Sequence, residues 1–196
     1  MSAVLPRLGF DAAAYLAWET TQEVRHEYVA GEVFAMTGSR LAHNVIALNA
    51  AVFLRQALKG KPCRVFMADL KLRIASADAF VYPDVMVSCD PRDRRPEDDT
   101  SIAHPWLVVE VLSPSTAAYD RGRKFELYRQ VETLSHYLLV EQDRHGAELF
   151  RKNAEGLWVL QPLAASDTLR IAEQGIEWPI STLHADVDFG AGVAAG

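Results

Sequence analysis

Several absences narrow the field at once. With only two cysteines, Cys63 and Cys89, the chain cannot be a disulfide scaffold, and it has too few thiols for a cysteine-only zinc site. No apolar run approaches the length needed to cross a bilayer; the run at Trp106–Val109 is typical. The N-terminus has Arg7 but no apolar leader, so neither a secretion signal nor a membrane anchor is expected. No Walker A, GxGxxG, GxSxG or HExxH sequence occurs, which removes the nucleotide-cofactor, serine-hydrolase and zincin readings. Cations are in deficit: 20 Lys and Arg against 26 Asp and Glu give a net charge of −6. Bulk electrostatics would not hold such a protein on nucleic acid.

What is present is the composition of one soluble, cytoplasmic domain. Of the 196 residues, 49% are hydrophobic and 23% charged. No linker or repeat divides residues 1–189, and the stretch 190–196 reads as a loose glycine-alanine tail. Asp11 is placed to cap a first helix, and Ala30-Gly31 to turn a hairpin between His26–Val29 and Glu32–Met36. Ser39 opens a second helix reaching Lys59, with Leu41, Val45, Leu48, Val52 and Leu58 as its buried face. Strands are expected over Arg64–Ile74, Val81–Cys89 and Trp106–Leu112, the last apolar on both sides. A helix over Ala118–Val131 leads to a parallel strand at Ser135–Glu141, and Ala147–Arg151 pairs with Leu157–Pro162. The class is α/β or α+β, a mixed β-sheet flanked by helices.

Three strands each carry one acid among apolar neighbours: Asp69, Asp84 and Glu110. Burying a lone carboxylate is costly unless it pairs, takes a proton or binds a cation. Adjacent strands lie about 5 Å apart, so Asp84 and Glu110 can share one ion if their strands are neighbours and the two side chains face one way. Hard divalent cations take oxygen ligands, and Mg²⁺ uses one or two carboxylates with water and substrate phosphate. Lys124, about two turns into the helix after the Glu110 strand, can bring an ammonium back over that site. Local basic surface comes from Arg92, Arg94 and Arg95 in one loop and Arg121, Arg123 and Arg129 in one helix. His43, His136 and His145 lack ligand spacing, and the cysteines read as small buried hydrophobes.

Pro83-Asp84, then Glu110-Val111-Leu112-Ser113-Pro114-Ser115-Thr116, then Asp120, Lys124 and Tyr128, resemble the Uma-type restriction endonucleases. These are a branch of the PD-(D/E)XK nuclease superfamily, and the resemblance runs from Phe10 to Leu183. It implies a restriction-endonuclease-like fold, a Mg²⁺ or Mn²⁺ cofactor, DNA as substrate, no nucleotide cofactor and a homodimer. In that scheme Asp84, Glu110 and the Val111 carbonyl ligate metal, and Lys124 positions the attacking water. Glu32 and Asp69 border the site, with His43 on the following helix. One departure is Leu112, which stands where the superfamily usually has its lysine; Lys124 or Lys71 must then supply the ammonium. Two alternatives remain open: an inactive module for DNA binding or protein interaction, and a nuclease acting on RNA or branched DNA.

Overall fold

In the computed structural model, which describes residues 4–5, 11–36, 38–94 and 99–189, the strands form two six-stranded sheets and a small hairpin. The first sheet contains β1 (Val4–Leu5), β2 (His26–Val29), β3 (Glu32–Ala35), β5 (Lys71–Ile74), β6 (Ala79–Val81) and β8 (Ser101–Ile102), in the order β1-β3-β2-β6-β5-β8. The second contains β4 (Arg64–Met67), β7 (Val85–Ser88), β9 (Leu107–Leu112), β10 (His136–Glu141), β11 (Ala147–Lys152) and β12 (Trp158–Leu163), in the order β12-β11-β10-β9-β7-β4. This second sheet is the expected mixed sheet. β9 and β10 are its parallel pair and the β11–β12 hairpin closes one edge. Arg95 and the tail at 190–196 lie outside the described residues.

The turn between β2 and β3 has Ala30 at φ 48° and Gly31 at φ 87°. A two-residue hairpin turn of this hand needs positive φ at both central positions. Asp11 caps α1 (Ala12–Glu19) by accepting from the Ala14 N–H at 2.8 Å, and Tyr15 of that helix stacks on Tyr28 of β2.

Four expectations need correction. The long strands over Arg64–Ile74 and Val81–Cys89 each divide, and their halves join different sheets. Asp69, at φ 62°, turns the chain out of β4, and the Tyr82-Pro83-Asp84 step carries it from β6 to β7. Ser39 does not cap α2 (Leu41–Ala57); its N-cap is Arg40, without a side-chain hydrogen bond. The buried face of α2 is Ile46, Ala47, Ala50, Ala51 and Leu54, whereas Leu41, Leu48 and Val52 are exposed, Leu41 by 88%. Small alanines let the helix backbone approach the sheet, and that close packing outweighs burial of the bulkier leucines. Finally, Cys63 and Cys89 form a disulfide, because the β4–β7 register (Arg64 opposite Ser88) sets them side by side.

α2 packs on the face of β9 that carries Leu107, Val109 and Val111. The opposite face, with Val108 and Leu112, meets the crossover helix. That helix has three parts: α3 (Ala117–Tyr119), a π-helical turn over Asp120–Lys124, and α4 (Phe125–Tyr128). A further hairpin, β13 (Thr168–Ile171) with β14 (Ile176–Pro179), had no counterpart in the sequence reading; its Trp178 stacks on Phe53 of α2 at 4.4 Å. Among the described residues no helix is long and apolar enough to cross a membrane.

Candidate active site

The antiparallel register of β7 and β9 pairs Val85 with Val109 and Met86 with Val108, so Asp84 falls opposite Glu110. Glu110 projects from the β9 face that meets the crossover helix and is buried. Pro83 offers no N–H to a ladder, which suits the break between the two sheets. Asp84 is fixed through one oxygen: Oδ2 accepts from the Val111 N–H at 2.7 Å and lies 3.3 Å from His43 Nε2. The Asp84 and His43 side chains keep 20% and 17% exposure, so the site opens toward the first turns of α2.

Lys124 reaches the same place from the end of the π turn. Its Nζ lies 2.8 Å from Glu110 Oε1 and 3.1 Å from Glu27 Oε1. Tyr128, one helical turn later, donates its hydroxyl to Glu110 Oε1 at 2.5 Å. Residues i and i+4 share a helix face, so the lysine and the tyrosine converge on one carboxylate oxygen. Glu27 is held in turn by the Tyr82 N–H at 3.2 Å and the Tyr119 hydroxyl at 3.1 Å. Asp84 Oδ1 and Glu110 Oε2 accept no hydrogen bond from a described residue.

Burial pushes the Glu110 carboxyl well above the usual carboxylate range, with the Lys124 ammonium pulling against it. For Lys124, burial opposes the charge, but Glu110 and Glu27 outweigh it and hold the ammonium well above the ordinary lysine range. His43 follows the same logic: burial disfavours the imidazolium, yet the Asp84 carboxylate raises its pKa. Asp120, also buried, is raised by burial against the opposing pull of Lys124 and a hydrogen bond to Thr116.

The other sequence candidates lie at varied distances from this cluster. Glu32 faces Val29 across the β2–β3 hairpin, on the sheet side that carries Glu27, but Glu27 is the carboxylate that reaches Lys124. Asp69 is exposed and pairs with Arg25 at 3.2 Å. Lys71 is buried in β5, its Nζ 5.7 Å from the centre of the Tyr82 ring. Arg92 pairs with Asp90, and Arg94 donates to the Pro62 carbonyl. Arg121 bridges Glu141 and Glu148, and Arg123 approaches Glu126 at 3.7 Å. Glu27 and the roles of Tyr119, Asp120 and Tyr128 were not foreseen. Glu27 lacked the signal that exposed Glu110: its strand reads His-Glu-Tyr-Val, and only the fold shows that every residue of β2 is buried.

The family model described as Uma2, putative restriction endonuclease, matches residues 12–183. The chain is 39% identical over 188 residues to an uncharacterised Synechocystis sp. (strain PCC 6803) protein, slr1290, covering 96% of this chain and 97% of that one. A second uncharacterised protein of the same organism, sll1609, is 31% identical over 152 residues, covering 78% and 86%. Among solved structures, a putative nuclease belonging to DUF820 from Anabaena variabilis superposes with a TM-score of 0.73. That superposition covers 90% of this chain and 98% of the other at 16% identity, a likeness of fold.

Proposed function

The chain belongs to the Uma2 family of putative restriction endonucleases, and we propose that it is a metal-dependent endonuclease hydrolysing DNA phosphodiester bonds. The observation that carries this reading is a buried lysine bridging Glu110 and Glu27 beside a second strand carboxylate, Asp84. A structural salt bridge needs one partner for one charge; here two carboxylates, Glu110 and Glu27, share one ammonium.

The donor set fits Mg²⁺ or Mn²⁺. Asp84 Oδ1 and Glu110 Oε2 are the unengaged oxygens of a residue just before β7 and a residue of the adjacent strand β9, with the Val111 carbonyl next in sequence. Among the described residues no three His, Cys, Asp or Glu side chains gather to hold an ion. Two carboxylates completed by water and phosphate are the usual provision for Mg²⁺, as opposed to a closed structural cage. When bound, such an ion lowers the pKa of a coordinated water and offsets charge on the phosphate.

The protein's own groups supply orientation. The Val111 N–H and His43 fix Asp84 Oδ2, which leaves Oδ1 for the site. Tyr128 and Lys124 together hold Glu110 Oε1 and fix the plane of that carboxylate. Lys124, kept protonated by Glu110 and Glu27, can donate to the water that attacks phosphorus or to a non-bridging phosphate oxygen. Leu112 occupies the usual lysine position; in this reading Lys124 replaces that lysine from the crossover helix. A homodimer, with two such sites related by a two-fold axis, suits cleavage of both strands of a duplex.

The test is incubation with supercoiled plasmid in Mg²⁺ or Mn²⁺, with EDTA and Glu110→Ala as controls. Nicking or linearisation lost in both controls is expected. An intact plasmid together with no calorimetric signal for Mg²⁺ or Mn²⁺ would overturn the reading. Light scattering behind a sizing column checks the dimer.

A further inference from the structure

Between Glu32 and Asp69 the sequence contains no Asp or Glu, although the whole chain is acidic. The same stretch holds Arg40, Arg55, Lys59, Lys61 and Arg64. In the fold it becomes α2, the connection after it, and the edge strand β4. Lys61 is engaged with the Gln174 carbonyl. Arg40, Arg55, Lys59 and Arg64 are exposed, and among the described residues none of them pairs with a carboxylate. Arg94 joins them from the loop after β7, donating to the Pro62 carbonyl while its own carbonyl lies 3.5 Å from Arg64.

This basic face differs from the crossover helix, where Arg121 and Arg123 are already matched by glutamates. It is also continuous with the site. Arg40 precedes the first turn of α2, where His43 meets Asp84, whereas Arg55 and Lys59 lie at the other end of the helix, from which the chain runs through Pro62 into Arg64, with Arg94 on the Pro62 carbonyl. A helix of this length spans roughly 25 Å, which is about seven base steps of duplex at 3.4 Å per step. Between the cationic ends run Leu41, Leu48 and Val52, spaced along one exposed side. Apolar side chains there can cover sugars or thymine methyls while the cations meet phosphates.

We infer that the outward face of α2, with Arg64 and Arg94 at its far end, is the surface along which duplex DNA lies when a phosphate enters the Asp84–Glu110 site. The inference rests on the nuclease reading above and adds to it the docking surface. A second copy of this chain is disfavoured as occupant, since apposing two acid-free faces would set cations against cations.

Anisotropy of a labelled 20-bp duplex, titrated with full-length protein over a range of salt in EDTA and again in Ca²⁺, tests this. The wild type is compared with Arg55→Ala/Lys59→Ala, Arg64→Ala/Arg94→Ala, and a control pair on the other face, Arg123→Ala/Arg129→Ala. Each phosphate contact contributes about 0.9 to the slope of log K against log salt, so each α2-face pair should reduce that slope by about 2. Affinity at moderate salt should fall about tenfold or more, with the control pair unchanged. If the wild type binds and cleaves but the α2-face pairs match it, this inference falls and the nuclease reading stands. If the wild type nicks plasmid but binds no duplex here, this inference falls alone; if it neither binds duplex nor nicks plasmid and takes up no Mg²⁺ or Mn²⁺, both fall. Binding to phosphatidylserine vesicles in place of duplex would overturn it too.

Discussion

Glu27 in the first sheet and Lys124 on the crossover helix meet at 3.1 Å, both side chains almost wholly buried. The lysine therefore has two carboxylates, one from each sheet, and the two contribute differently. Glu110 belongs to the strand that also presents the Val111 carbonyl, whereas Glu27 touches the site only through Lys124.

On the proposed reading, Glu27→Gln should cut plasmid nicking about tenfold or more. The amide still accepts a hydrogen bond, so folding should be little affected. Lys124→Met should be more damaging, since two buried carboxylates lose their cation; a cost of about 3–5 kcal/mol is expected. Urea denaturation beside the nicking assay separates the two effects. A Glu27→Gln enzyme with full activity would remove Glu27 from the positioning role.

Tyr128→Phe deletes one hydroxyl from a buried hydrogen bond to Glu110. Stability should fall by about 1–2 kcal/mol. If Glu110 ligates the metal as proposed, Mn²⁺ affinity, read by paramagnetic resonance of the free ion, should weaken about tenfold, as for other groups that orient a metal ligand. Unchanged Mn²⁺ affinity with the same loss of stability would make the tyrosine a packing residue only.

Much of the site could be read directly because the signals were local. Glu110 in a doubly buried strand, Asp84 after a proline and Lys124 on the next helix need no knowledge of register to stand out. The outline of the second sheet was legible for the same reason: β9 and β10 bury nearly throughout and β11 alternates at its start as their sequences indicate, whereas the apolar β12 is largely exposed. The misreadings arose where tertiary packing decides. Leu41, Leu48 and Val52 look like a core stripe, but three alanines pack closer. Asp69 adopts a left-handed backbone with no glycine to announce it, which turned two strands into one on paper. Glu27 has no local signal to mark it, because which carboxylate of the first hairpin reaches Lys124 depends on how the two sheets meet.

His136 supplies a pH prediction. Its ring is buried against Trp106, and burial pushes its pKa down to about 4. The unfolded chain takes up this proton near pH 6.5, the native protein only near 4, so the unfolded state binds more protons in between. Stability should therefore fall as pH drops from 6.5 toward 4, by about 3 kcal/mol from this residue. Urea midpoints at pH 7 and pH 4.5 should converge in His136→Phe, which keeps the ring stack. Equal pH sensitivity in the variant would point to other groups.

The Cys63–Cys89 bond closes a loop with a sequence separation of 26. Chain-entropy reasoning assigns such a cross-link about 3 kcal/mol. Reduction with dithiothreitol, or Cys63→Ser with Cys89→Ser, should lower the urea midpoint accordingly. Mass spectrometry of the non-reduced protein with two free thiols would refute the pairing.

The join between Glu27 and Lys124 also has a bearing on timing during synthesis and refolding. The β2 carboxylate emerges early in the chain and the β9 carboxylate and its lysine much later. A chain with either sheet formed alone has only part of the ammonium's cradle. On the proposed nuclease reading, competence would arrive with the last docking event rather than accumulating along the way, and a nascent or partly unfolded copy would not cut the nucleic acid around it.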